Sequence, residues 1–146
     1  QTTSDNPAAN LLLGLVGGPA GFTAMLREAG DSVTRLDRME PHMNAVARRD
    51  PRDTTTPGAM AATLVRLLTS DWLTPNSRAM LIQWMVATET GTKRLRAGFP
   101  AQWRAGDKTG TGMAPGMMDK YNDIAIAWPP GKCATRTKPY WRRSDA

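Results

Sequence analysis

RLDRMEPHMNAVARRDPRD, residues 35–53, is the stretch on which the reading of this chain turns. It mixes charges of both signs with Pro41 and Pro51 and shows no usable apolar period, so it reads as one long ordered loop. A loop of that length inside a compact domain is more often functional than filler. Arg38 precedes Glu40-Pro41-His42-Met43-Asn44 within it, and Arg52-Asp53-Thr54 closes it. Taken alone, Glu40 would be a solvated surface carboxylate, and His42 is expected to be exposed without a chemical task.

On either side of the loop the sequence is punctuated like a set of helices. Asp5 or Asn6 can cap a helix with Pro7 in its first turn, running through Ala9, Leu12 and Leu13 to a stop at Gly17-Gly18. Pro19 opens a second, with Phe22, Met25, Leu26 and Ala29 at spacings of three and four before Gly30. After the loop, Thr56-Pro57 starts a third with the stripe Met60, Leu64, Leu67 and Leu68. Thr74-Pro75 starts a fourth whose buried face is expected to be Met80, Leu81, Trp84 and Met85, the methionines and tryptophans being core. Beyond Gly106 the texture changes. Ile124, Ile126 and Trp128 alternate with Ala125 and Ala127, which predicts a strand, and residues 103–111 are expected to be its neighbour. Helices followed by strands give an α+β fold, divided into a helical subdomain at residues 1–100 with its loop at 35–53, strands of an α/β subdomain at 101–131, and an irregular tail at 132–146.

Composition narrows the function classes. At 146 residues and 40% hydrophobic the chain fits one domain or part of one. No apolar run is long enough to span a bilayer, since residues 11–16 are interrupted by Gly14. Cys133 is the only cysteine, which excludes an internal disulfide framework and a cysteine-rich metal site. Most of the net charge of +6 sits in the tail, where Lys132, Arg136, Lys138, Arg142 and Arg143 face only Asp145. No helix carries a one-sided basic stripe, so a nucleic-acid partner is not expected.

Two further patterns give the loop its meaning. Ser4-Asp5-Asn6 lies upstream of it, and Lys108-Thr109-Gly110-Thr111 lies downstream on the expected strand. Alone, the first is an ordinary helix start and the second a strand end or turn. In this order, with Arg38 before the glutamate and Asp53 after it, the three together closely resemble the class A serine β-lactamases, whose S-D-N and K-T-G motifs and catalytic glutamate are a known signature. The likeness runs over residues 4–112, includes Gly17-Gly18-Pro19-Ala20, and resumes over 122–131. Among members it is most similar to periplasmic enzymes of Gram-negative bacteria.

The resemblance implies a β-lactamase/D-Ala-D-Ala peptidase-like fold, an all-α subdomain beside part of an α/β subdomain, in which a β-lactam ring is opened at the seam. It also implies a role for each matched residue. Glu40 is the base that drives water onto an acyl-enzyme ester, and Asn44 holds the same water. Ser4 relays a proton to the departing ring nitrogen, and Lys108 supplies positive charge beside it. Asn6 binds the substrate's side-chain amide. Thr109 and Thr111 bind its carboxylate, and Arg94 sits where some relatives carry a carboxylate-binding arginine. Arg38 and Asp53 form the ion pair that ties the loop shut, while Arg96 is a buried structural partner. No metal and no cofactor is implied. The implied partner is a small-molecule β-lactam, with no nucleic acid or membrane, in a monomer located in the periplasm or secreted.

Departures from the family pattern set further expectations. Its nucleophile lies in S-x-x-K, and none of Ser4, Ser32, Ser70, Ser77 or Ser144 has a lysine three residues on. The chain is therefore expected to be a partial sequence, inactive by itself, whose helices keep apolar faces uncovered. Residues 113–121 look longer and more irregular than usual, and 132–146 lack the apolar period of a closing strand and helix. Two other functions compete: a penicillin-binding D-Ala-D-Ala peptidase relative, which would lack the deacylating glutamate, and a non-catalytic basic binding module, supported only by the tail.

Overall fold

The computed structural model describes residues 2–117 and 119–131. The tail of residues 132–146 lies outside the described residues. Four helices and a two-stranded sheet give an α+β arrangement: α1 (Asn6–Leu15), α2 (Gly18–Glu28), α3 (Pro57–Thr69), α4 (Pro75–Val86), β1 (Arg104–Gly112) and β2 (Lys120–Trp128).

Each helix begins where its cap chemistry dictates. The Asp5 carboxylate accepts the Ala8 N–H at 2.7 Å, and the hydroxyls of Thr56 and Thr74 accept the N–H groups of Ala59 and Ser77, each at 3.2 Å. A proline follows each cap, where no amide hydrogen is needed. Val16 and Gly17 turn the chain, so that α2 leaves α1 at a bend of 70°. Among the described residues no single helix is long and apolar enough to cross a membrane.

The core joins helices to sheet. Leu64 and Leu68 of α3, Met85 of α4 and Ile126 of β2 form its centre, with Leu81, Ile82, Ile124 and Trp128 packed around it. The α4 expectation needs correction here. Leu81, Ile82 and Met85 face inward, whereas Met80 and Trp84 are 40% and 46% exposed. Apolar residues lie all round this helix, and it turns Met85 and its neighbours, not Trp84, onto β1. The outward side chains of α1 are also uncovered, with Leu11, Leu12 and Leu15 at 74%, 65% and 82% exposure while Leu13 is buried.

β1 and β2 pair antiparallel, with Thr109 opposite Asp123, Lys108 opposite Ile124 and Gly106 opposite Ile126. Side chains alternate between faces, so one face carries Gly106, Lys108, Gly112, Ile124 and Ile126, and the other carries Asp107, Thr109, Thr111, Tyr121 and Asp123. Gly106 is required by close approach: a Cβ there would lie 2.8 Å from the backbone of Met85 and Val86. The strand and its partner are as expected, although β2 begins at Lys120 rather than beyond Asn122 and Asp123.

Candidate active site

The long loop is held by carboxylates, because it has no ladder of its own. Asp53 accepts the amides of Asp37 and Arg38 at 2.7 and 2.9 Å and the Arg38 Nε–H at 2.6 Å. Its own amide donates to Asp37 at 3.0 Å, which closes a reciprocal clasp between the loop's two ends. The Asp53 side chain is 3% exposed, so this is a buried ion pair, and Asp53 adopts a left-handed φ of 54° to make it. From the same anchor the Arg38 guanidinium reaches inward and donates to the Ala45 carbonyl at 3.1 Å.

Inside the clasp a 3-10 turn (His42–Asn44) brings Asn44 back over Glu40. The Asn44 Nδ2–H donates to Glu40 Oε2 at 2.5 Å. Asn10 of α1 fixes the glutamate's backbone from the other side: its side-chain amide donates to the Glu40 carbonyl and accepts the Glu40 N–H, both at 2.9 Å. The glutamate is therefore half-buried and gripped at backbone and side chain, while His42 points into solvent.

The strand supplies the opposite wall. Lys108 Nζ donates to Ser4 Oγ at 2.7 Å and to the Thr109 carbonyl at 2.5 Å. Ser4 is exposed and sits at φ 59°, a left-handed conformation uncommon for serine that sets its hydroxyl at the ammonium. Burial pushes the Lys108 ammonium below the usual lysine value, opposed by the negative charge of Asp107, Asp123 and Glu40 and assisted by Arg94. Loop and strand meet at Gly112, where a Cβ would lie 3.3 Å from Asn44 Oδ1.

On the other face of β1, Thr111 is exposed and accepts a hydrogen bond from Arg94 Nη2 at 2.6 Å. Arg94 Nη1 donates to the carbonyls of Gly110 and Asn122 at 3.1 and 2.7 Å. Thr109 is buried, and its hydroxyl shares a 2.7 Å hydrogen bond with Thr90. A hydroxyl that both donates and accepts keeps a second function for a ligand. Asn6 opens α1 two residues from Ser4 and is exposed. Arg96 is paired with the fully buried Asp107 and also donates to the Met85 and Val86 carbonyls at 3.0 and 3.3 Å, so it bridges β1 and α4.

The structure thus brings Glu40 together with Asn44, Ser4 with Lys108, Arg94 with Thr111, and Arg38 with Asp53. It does not join Asn6 to any of these pairs. Two contributors were missed from sequence, Asn10 and Thr90. Asn10 lies one helical turn beyond Asn6, and a polar side chain at that spacing on an otherwise apolar helix was the available signal.

Known proteins match most of this chain. The model of the β-lactamase enzyme family matches residues 1–135. Beta-lactamase L2 of Stenotrophomonas maltophilia is 54% identical over 87% of this chain and 41% of its own length, and Beta-lactamase FAR-1 of Nocardia farcinica is 53% identical over 87% and 39%. Among solved structures, an ancestral class A β-lactamase superposes with a TM-score of 0.84 at 62% identity, covering 90% of this chain and 49% of that one. A β-lactamase from Xanthomonas campestris gives 0.82 at 57% identity, over 90% and 47%. The chain spans about two fifths of the length of the curated relatives and about half that of the solved ones. With its motif order, its α+β fold and these likenesses in agreement, the chain belongs to the β-lactamase enzyme family, within class A.

Proposed function

We propose that the full-length protein carrying this chain hydrolyses β-lactams through a serine acyl-enzyme, with the nucleophile supplied from outside these 146 residues. The observation that carries this reading is the Glu40–Asn44 pair, a carboxylate and an amide 2.5 Å apart on a clasped loop, whose charge acts on Lys108 of β1, itself hydrogen-bonded to Ser4 just before α1. Two groups gripping one small volume can hold a water with its oxygen aimed at an ester, and a carboxylate there can take its proton. The D-Ala-D-Ala peptidase pattern lacks such a deacylating glutamate, and the pair therefore favours hydrolysis of the β-lactam ester over a stable adduct.

Each remaining group has a task in that cycle. Ser4 relays a proton to the departing nitrogen, and Lys108 supplies the charge that makes the transfer favourable. The Thr111 N–H is one of the two donors to the oxyanion, the other being the nucleophile's own N–H. Thr109, Thr111 and Arg94 receive the substrate carboxylate, and Asn6 its side-chain amide. Arg38 and Asp53 act through the loop, keeping Glu40 in place. The division at residue 100 into a helical unit and a strand unit, action as a monomer on a small molecule without nucleic acid or membrane, and a periplasmic or secreted location belong to the same reading.

The test is a chromogenic cephalosporin assay on two purified proteins, this chain and the full-length protein that carries it. The full-length protein is expected to turn the substrate over and the chain alone to stay at the buffer rate, since without a serine ester Glu40 has nothing to act on. Turnover by the chain alone that Glu40→Ala abolishes would show that another residue within it serves as nucleophile. No turnover by the full-length protein would refute the functional reading itself.

A further inference from the structure

Asp123 stands out among the groups that the catalytic cycle above does not use. It lies on β2 opposite Thr109, on the face that carries Thr111. One carboxylate oxygen accepts the Leu95 N–H at 3.0 Å; the other is buried without a hydrogen-bond partner among the described residues. Burial pushes this carboxyl up to about 6, with Asp107 adding to the shift and the Leu95 and Ile124 amides and Arg94 opposing it.

Leu95 is the residue after Arg94 and opens the 3-10 turn Leu95–Gly98. The first amides of such a turn have no partner inside it and need one from elsewhere. Asp123 is that partner, and the bond ties the turn to the strand at the point from which the Arg94 side chain departs. Among the described residues Arg94 donates to neutral acceptors, the carbonyls of Gly110 and Asn122 and the hydroxyl of Thr111. Its guanidinium also lies 5.5 Å from the centre of the Tyr121 ring. Asp107 is paired with Arg96, while Asp123 accepts the Leu95 amide and acts on Arg94 only through its charge, with no hydrogen bond between them among the described residues. The positive charge of Arg94 therefore stays available to an anion arriving at Thr111.

We propose that Asp123 is a positioning residue for substrate binding: through the Leu95 amide it fixes the turn that aims Arg94 at Thr111, where the carboxylate of a β-lactam is received. This rests on the functional reading above. The charged groups around Asp123 are Asp107 and Lys108 on β1 and Arg94 at the start of the turn. Asparagine keeps an oxygen that can accept the Leu95 N–H but does not titrate; alanine keeps neither property.

The experiment compares Asp123→Ala, Asp123→Asn and Arg94→Ala, with the Asp123→Ala/Arg94→Ala double variant, in the full-length protein against a carboxylate-bearing cephalosporin. Asp123→Ala is expected to raise KM roughly tenfold with kcat within about twofold, and to add nothing once Arg94 is alanine. Asp123→Asn is expected to restore KM at neutral pH and to remove an inflection near pH 6 from the parent's kcat/KM profile. A fall in Tm for Asp123→Ala with KM unchanged, or equal additive effects in the Arg94→Ala background, would overturn the proposal. Hydrogen exchange at the Leu95 amide separates this from failure of the functional reading. Even if the parent hydrolyses no β-lactam, fast exchange in Asp123→Ala and slow exchange in Asp123→Asn support the anchoring, and slow exchange in both refutes it.

Discussion

The loop of residues 35–53 and the outward face of α1 are opposite solutions in one small molecule. The loop has almost no regular structure, yet its ends are clasped by Asp37, Arg38 and Asp53 and its middle is gripped by Asn10 and Asn44. Helix α1 is fully regular, yet Leu11, Leu12 and Leu15 face solvent. Order in the loop comes from polar groups that satisfy one another locally, whereas a helix obtains most of its stability from burying an apolar face against something else. The site's polar geometry is thus specified within this chain more completely than its apolar core is. Breaking polar clasps should cost far more than altering the exposed leucines.

The largest effect is expected at the clasp between sheet and α4. Arg96→Ala strands the fully buried Asp107 carboxylate and should cost about 3–5 kcal/mol by urea denaturation of the full-length protein. A loss below about 1 kcal/mol would show that Asp107 finds another partner. Next comes the loop closure. In a double-mutant cycle on Arg38→Ala and Asp53→Ala, a coupling of about 1–3 kcal/mol is expected, and strictly additive effects would remove the pair from its role in holding Glu40.

A third test sharpens the polar side of the contrast through pH. Burial pushes the Asp31 carboxyl up, but the Thr34 hydroxyl and amide, the Val33 amide and the Thr63 hydroxyl outweigh it and hold it down at about 2. A carboxylate with a depressed folded-state pKa stabilises the fold above its unfolded value near 4, and that stabilisation is lost as pH falls through about 2. Asp31→Asn should therefore flatten the acid side of the stability curve between about pH 4 and 2, and an unchanged acid limb would contradict the assignment. The smallest effect belongs to α1. Leu12→Gln in this chain is expected to move thermal stability by less than about 0.5 kcal/mol, because the side chain it replaces touches mainly water.

What could be read in advance followed the range of the interactions. The starts of α1, α3 and α4 were legible because Asp5, Thr56 and Thr74 each cap a helix with a proline in its first turn. β2 was legible from the alternation of Ile124, Ile126 and Trp128, and the functional reading from three motifs kept in order. The inward face of α4 was not, since Met80, Ile82, Trp84 and Met85 surround the helix and only contact with Gly106 decides which of them is buried. Nor was the grip of Asn10 on Glu40, thirty residues apart, or that of Asp123 on Leu95, twenty-eight apart. Such pairs exist only once the chain has folded, and a single sequence does not show which residues will meet.

The central claim is that Glu40 is the base that empties the acyl-enzyme, and mass spectrometry of Glu40→Gln in the full-length protein tests it most directly. Glutamine keeps the shape and the contact with Asn44 but cannot take a proton from water. Incubated with a penicillin, the variant is expected to accumulate a covalent adduct of the added drug mass that persists after excess drug is removed, while the parent returns to its free mass. Rapid and complete turnover by Glu40→Gln, with no adduct retained, would contradict the account.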